Sequence, residues 1–332
     1  MAFKVHVGPP QISIHQGQTI LLSELDGQIN WPSDKGLFFR DTRVISNWSI
    51  YANGEPWTLL NGGAITYYAA RIFLTNRVFA TESGTVPERV LGLTISRWIA
   101  GGVHEDIEIT NNSMRRVSFQ LEIAVRSDFA DLFEVKSDRI VRRGRIATEW
   151  SQPRQRLRTT YRNGDFHRAV ALSTARSSTK AAYANGRLSF EVDLQPGGRW
   201  QTCLLYTLED GAARFSPPRG CIDQSGESQH GEMMAEWLKT VAKIQTSNEE
   251  FYRMFRRALE DMAALRFPIE VADRRAFMPA AGLPWFVAPF GRDSLIVSLQ
   301  NILIYPHFAR GALEFLGSLQ ATDDDPYRDA EP

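Results

Sequence analysis

A multi-domain chain, β first and then α, is what this sequence predicts, and three observations predict it. The apolar pattern keeps a period of two as far as about residue 210, Asn-Gly pairs punctuate that stretch, and after a Gly/Pro/Ser-rich segment the period becomes 3.6. The length, 332 residues, suits two domains at roughly 150 residues each.

In the first part, Leu188, Phe190, Val192 and Leu194 alternate with Ser189, Glu191 and Asp193, which makes one face apolar and the other wet. Ile107-Glu108-Ile109 and Phe119-Gln120-Leu121-Glu122-Ile123 repeat the pattern. Asn53-Gly54, Asn163-Gly164 and Asn185-Gly186 supply the paired positive-φ positions of type I′ hairpins, and Gly101-Gly102 and Pro196-Gly197-Gly198 mark looser turns. No long helical stripe interrupts this half, so it reads as an antiparallel β-sandwich over 1–210.

Glu209 to about Gln229, with Phe215-Ser216-Pro217-Pro218-Arg219-Gly220, reads as a linker, and Met233, Trp237 and Val241 line a connecting helix within 211–246. Ser247-Asn248-Glu249-Glu250 has the form of a capping box. Phe251, Phe255, Ala258, Met262 and Leu265 follow at helical steps until Pro268. A second helix is expected from about Asp293 to Tyr305 with Leu295, Leu299, Ile302 and Leu303 inward. Pro306 opens a third, carrying Phe308, Leu313, Phe315, Leu316 and Leu319. The last hundred residues are expected to be all helical.

Composition narrows the function. Lys+Arg and Asp+Glu both number 38, so no net charge draws the chain to nucleic acid or to anionic lipid. No run approaches the roughly 20 apolar residues of a membrane span, and Met1 to Val5 do not open a secretory signal, so a cytoplasmic protein is expected. Two cysteines, Cys203 and Cys221, lie outside any CxxC and read as reduced thiols. GxSxG, GxGxxG and Walker loops are absent, and no cofactor is implied.

Three clusters read as structural. Side chains of His104-Glu105-Asp106 alternate faces on a strand and cannot converge on one metal, so an exposed strand end is expected and no metal ligand is assigned. Asp323-Asp324-Asp325 lacks the glycine and bidentate glutamate of a calcium loop. Arg142-Arg143-Gly144-Arg145 reads as a hairpin tip between Ile140 and Ile146.

One segment invites a functional reading: Gly282-Leu283-Pro284-Trp285-Phe286-Val287-Ala288-Pro289-Phe290-Gly291-Arg292-Asp293-Ser294, an aromatic-rich loop between helices. A guanidinium fork and a carboxylate can donate to and accept from neighbouring sugar hydroxyls, while Trp285 or Phe290 offers a stacking face. The same residues also fit a plain account, with Asp293 as an N-cap and the aromatics as core.

Residues from about 10 to 210, with Gly36-Leu37-Phe38-Phe39-Arg40-Asp41-Thr42-Arg43, resemble the N-terminal domain of bacterial glycogen-debranching (amylo-α-1,6-glucosidase-like) proteins. Pro284-Trp285-Phe286 and Phe290-Gly291-Arg292-Asp293-Ser294 look like the same family's loop at the mouth of an (α/α)6 barrel. The resemblance implies a supersandwich-like first domain and, over 247–332, the first helices of an incomplete six-hairpin barrel. It further implies that Arg292 and Asp293 hydrogen-bond a terminal glucose, with Trp285, Phe286 and Phe290 shaping that subsite.

Twelve helices of about eleven residues with loops of about five need on the order of 200 residues, whereas the stretch from Ser247 to Pro332 holds about three helices. The final Arg328-Asp329-Ala330-Glu331-Pro332 reads as a cut inside a motif that the resembled family continues. No residue is therefore assigned a catalytic role, Asp329 and Glu331 included. The expectation is a fragment of an inverting α-glucosidase of branched glucans or oligosaccharides, inactive alone, and open to self-association through uncovered apolar faces. The rival from another class is a non-catalytic carbohydrate-binding or interaction protein that uses only the sandwich.

Overall fold

The structure is a computed structural model that describes residues 10–82, 84–218, 226–271, 273–324 and 327, with backbone alone at 226–231. Cys221, Arg219-Gly220, Asp325, Asp329, Glu331 and the first five residues, all weighed above, lie outside the described residues. The chain divides into two compact units, Met1–Glu227 and Ser228–Pro332.

The first unit is built of antiparallel sheets. The largest runs, strand by strand, Arg145–Ser151, Arg156–Asn163, Phe166–Ala175, Arg199–Asp210, Gly102–Asn111, Leu91–Ala100, Ala69–Thr75 and Thr58–Thr66, with Ala213–Phe215 paired to Arg199–Asp210. A second sheet runs Ala182–Ala184, Arg187–Leu194, Val117–Arg126, Asn47–Ala52 and Glu55–Pro56, and a third runs Gln11–Gln16, Thr19–Glu24, Gly36–Phe39 and Thr42–Ile45. The period-two pattern explains the packing. Leu188, Phe190, Val192 and Leu194 are buried while Glu191 and Asp193 stay wet, and Phe190 meets Trp200 of the large sheet with ring centroids 5.3 Å apart. One continuous core joins Ile95, Ile107, Leu121, Ile123 and Leu204, so the expected β-sandwich is what forms.

Turn chemistry follows the sequence at two of three Asn-Gly sites. Asn53-Gly54 and Asn185-Gly186 both take positive φ at both residues, as a type I′ hairpin needs. At the third, Asn163 pairs with Phe166, so the turn is Gly164-Asp165 and only Gly164 is left-handed. The large sheet also continues through Phe215, past the point where the linker was expected. Arg142 to Arg145 do not form a hairpin tip: they lead from a short helix, α1 (Leu132–Ser137), into the edge strand Arg145–Ser151.

In the second unit, α2 (Gly226–Thr240) and α3 (Glu249–Ala264) pack through Trp237, whose indole N–H donates to the Leu259 carbonyl at 2.9 Å. The cap of α3 is Asn248 rather than Ser247: its Oδ1 accepts from the Phe251 amide at 3.0 Å. Helix does not fill the rest. A hairpin, Arg266–Val271 with Arg274–Pro279, follows α3, because Phe267, Ile269 and Val271 carry β-forming residues where Pro268 forbids a helix. Two helices, α4 (Arg292–Gln300) and α5 (His307–Ser318), pack on that hairpin. The expected inward face is reversed: on α4 Ser294 and Ser298 are buried while Leu295 and Leu299 are exposed, and Ile302 and Leu303, expected on the same helix, are exposed in the turn that follows it. Small side chains let the helix approach the hairpin closely, and Ser294 Oγ donates to the Pro279 carbonyl at 3.0 Å. No described helix is long and apolar enough to cross a membrane.

Candidate functional site

The Gly36–Arg43 stretch folds as a tight hairpin in which Phe39 pairs with Thr42, leaving Arg40 and Asp41 as the two turn residues. Both are left-handed, φ 46° and 61°, although neither is glycine. Such a turn is costly for side chains with a Cβ and persists only where its surroundings hold it. Here Arg40 forms an ion pair with Asp210, which also pairs with Arg168, and the Asp41 carbonyl accepts from the Leu132 amide at 2.9 Å. Partial desolvation pushes the Asp41 carboxyl above its usual range, the Asp131 charge adds to that, and Arg168 opposes it. As a residue Asp41 is exposed, so water screens part of this push.

Next along the strand, Arg43 is fully buried. Its guanidinium donates to both carboxylate oxygens of Asp128, with Nε to Oδ1 at 3.2 Å, and Nη1 donates to the carbonyls of Ser33 at 2.6 Å and Lys35 at 3.2 Å. The guanidinium's central carbon, Cζ, lies 5.3 Å from the centre of the Trp31 ring. These contacts build one wall of a cleft of about 560 Å³, whose lining includes Trp31, Thr42, Asp131, Arg142, Asn163 and Phe166. Trp31 and Phe166 are both exposed, so the cleft presents ring faces beside carboxylates, an amide and guanidinium forks. That combination suits a sugar, which stacks its C–H face on a ring and trades hydrogen bonds around its rim.

Three of the four carboxylates lining the cleft, those of Asp128, Asp131 and Glu134, already have partners. Asp128 is held by Arg43, Asp131 caps α1 by accepting from the Phe133 amide at 2.8 Å, and Glu134 accepts from the Asp131 amide and pairs with Arg143 at 2.6 Å.

The residues proposed from sequence lie in the other unit, Trp285, Phe286 and Phe290 on the loop before α4 and Arg292 and Asp293 at its start. Reciprocal backbone bonds between Gly282 and Phe286, 3.2 and 3.0 Å, close a tight turn with Trp285 just inside it, half-buried. The structure brings Phe286 and Phe290 together edge to face, centroids 5.8 Å apart. Arg292 and Asp293 are exposed on the first turn of α4 with no ion pair or side-chain hydrogen bond among the described residues. Gly291, not Asp293, is the N-cap. Neighbouring positions on a helix point about 100° apart, so Arg292 and Asp293 do not face one another.

The cleft in the sandwich escaped the sequence reading, because its lining is drawn from four separated stretches. A local signal existed: two charged residues, Arg40-Asp41, stand where a two-residue turn normally takes Asn-Gly.

The sequence profile described as the N-terminal domain of (some) glycogen debranching enzymes matches residues 14–205. None of the curated proteins matches the chain. Among solved structures, a kojibiose phosphorylase-like protein from the human microbiome is similar over 76% of this chain, at 11% identity and a TM-score of 0.44. The match covers 39% of that protein, so this chain spans about two fifths of its length. A galactose mutarotase-like protein from Clostridium acetobutylicum (6% identity, TM-score 0.31, 60% of this chain and 94% of that one) is also similar. So is another from Lactobacillus casei (10% identity, TM-score 0.34, 60% and 100%). With the profile matched over more than half of its length, the chain belongs to the family of glycogen-debranching N-terminal domains.

Proposed function

We propose that this chain serves a glycoside hydrolase acting on α-glucosidic bonds of branched glucans or oligosaccharides, amylo-α-1,6-glucosidase-like, and that its own share is to hold the sugar chain. The cleft beside the Arg40-Asp41 turn carries this reading, since it pairs exposed rings with fixed polar groups in a family member of debranching type. Inverting hydrolysis needs a general acid and a general base about 6.5–9.5 Å apart. Asp128, Asp131 and Glu134 are committed to Arg43, to the α1 cap and to Arg143, and the remaining cleft carboxylate, Asp138, is no pair by itself, so we assign the catalytic pair outside this chain. On this reading the second unit begins an (α/α)6 barrel, and Trp285, Phe286, Phe290, Arg292 and Asp293 form a second sugar contact at its mouth. The α-glucan is the partner, met in the cytoplasm.

Electrophoresis through gels containing glycogen tests the proposal. The 332-residue chain should be retarded, and Trp31→Ala should remove most of the retardation; unaltered mobility of the parent chain in glycogen overturns sugar binding. Glucose release from a limit dextrin by the purified chain would overturn the assignment of the catalytic pair elsewhere.

A further inference from the structure

His104 and Asp106 stand two residues apart on the strand Gly102–Asn111, so their side chains share one face, the one opposite Glu105. Asp106 is the register partner of Cys203 on the neighbouring strand. The result is a cluster of three ligand-type atoms, a ring nitrogen, a carboxylate oxygen and a thiol sulfur, all within 4.8 Å of one another. Contrary to the exposed strand end expected from sequence, His104 is fully buried, Cys203 is buried, and the Asp106 side chain is one quarter exposed.

Three contacts fix the imidazole. Its plane stacks on Trp98, centroids 3.8 Å apart at 20°. Nδ1 lies 3.2 Å from the Pro218 carbonyl oxygen and Nε2 lies 3.0 Å from Asp106 Oδ1. A carbonyl oxygen can only accept, so Nδ1 carries the hydrogen of that contact. In a neutral ring Nε2 then turns a lone pair toward a carboxylate oxygen, an arrangement that needs a positive centre between them, a proton or a metal ion. Histidines that ligate metals are commonly held this way, with the far ring N–H given to a backbone carbonyl.

We propose that His104 Nε2, an Asp106 carboxylate oxygen and Cys203 Sγ form a binding site for a divalent zinc-class ion. The mixed nitrogen, oxygen and sulfur set suits a borderline-soft cation rather than magnesium or calcium, which take oxygen ligands. Zinc bonds of about 2.0 Å to nitrogen and oxygen and about 2.3 Å to sulfur set tetrahedral ligand atoms about 3.3–3.5 Å apart, so Nε2 and Asp106 Oδ1, 3.0 Å apart, open slightly and any wider separation within the 4.8 Å cluster closes around the ion. Three protein ligands leave a fourth tetrahedral position, and the partial exposure of Asp106 gives it a route to solvent. The ion ties the strand Gly102–Asn111 to Arg199–Asp210, with Pro218 supporting the histidine.

Cobalt(II) titration of the chelator-treated chain tests this directly. One equivalent should bind with a thiolate-to-cobalt charge-transfer absorption that Zn²⁺ abolishes by competition. Cys203→Ser should lose that absorption, and Asp106→Asn, at a partly exposed position, should weaken Co²⁺ binding by about tenfold or more. Circular dichroism and the melting temperature check that both variants fold; should Cys203→Ser fail to fold, Asp106→Asn carries the test. Cys221 is kept throughout, so absorption that survives in folded Cys203→Ser overturns the proposal. It is equally overturned by a parent chain that takes up no cobalt, as a proton between His104 and Asp106 would give, or by unchanged affinity in Asp106→Asn.

Discussion

Arg97 and Glu105 are register partners on adjacent strands, each side chain only 1% exposed, and they form an ion pair inside the sandwich. Around them, Arg97 lies 4.3 Å from the Trp48 ring and donates to the Gly27 carbonyl, and the Tyr206 hydroxyl donates to Glu105 Oε1 at 3.1 Å. Burial pushes the Tyr206 hydroxyl well above its usual range and the Glu105 charge adds to that, which keeps it a donor. A buried pair contributes little net stability, but removing one member strands the other charge. Glu105→Gln should therefore lower unfolding stability by about 3–5 kcal/mol, and the double change Arg97→Met/Glu105→Leu should cost clearly less. Urea unfolding of the three proteins checks the order.

Glu209 behaves differently because water reaches its partners. Burial alone would raise its carboxyl, but the hydrogen bond from Arg158 and the charges of Arg158, Arg214 and Arg156 outweigh that and hold it below 4.5. A carboxyl depressed in the folded state contributes stability above its unfolded value and loses it as pH falls through the folded one. Melting temperatures of the parent chain and Glu209→Gln should differ by a constant amount above about pH 4.5 and converge below it.

Arg43 and Asp128 test the cleft wall. Lysine keeps the charge of Arg43 but cannot reproduce its fork, so the substituted ammonium leaves at least one of the Ser33, Lys35 and Asp128 acceptors unpaired. Arg43→Lys should cost about 2 kcal/mol in urea unfolding, at the usual cost of a stranded buried acceptor. It should also weaken retardation in glycogen gels, since Trp31 rests on that guanidinium.

Much of the sandwich was legible because period-two patterning reports faces directly: Leu188 to Leu194 and Phe119 to Ile123 behave as written. What it could not report is which outer faces are covered. His104 and Glu105 are both buried, one beneath Pro218 and the other in the core with Arg97, because the strand is enclosed on both sides there. The same limit applies to α4, where the sequence pattern points the apolar stripe inward although Ser294 and Ser298 make the close approach. The cleft was illegible for another reason: Trp31, Thr42, Asp131 and Phe166 meet only through strand order, which no local pattern encodes.

Gly311 sets how closely α5 approaches the hairpin. A Cβ there would collide with the Phe277 carbonyl, a backbone atom that cannot swing aside. Glycine to alanine in an open helix position normally stabilises by about 1 kcal/mol. Gly311→Ala should do the opposite and lower stability by about 1–3 kcal/mol, in the range of overpacked cores, whereas Gly317→Ala on the same helix, where the added Cβ meets nothing, should be neutral or stabilising. Thermal unfolding of both variants decides whether contact or propensity dominates.

The apolar side chains of α4 and its following turn predict behaviour in solution. Leu295, Ile296, Leu299, Ile302 and Leu303 lie close together in sequence and are all exposed, Leu299 at 69% and Leu303 at 86%. Contiguous apolar surface of this kind attracts other apolar surface. The purified chain should bind a hydrophobic dye, and its light scattering should rise with concentration. Replacing Leu299 and Leu303 by lysine should reduce both signals while leaving the melting temperature within a few degrees, because side chains this exposed bury little on folding. A fall in melting temperature as large as that of a core substitution would show instead that these leucines are packed in solution; a parent chain that stays monomeric and dye-free would show that the face is covered.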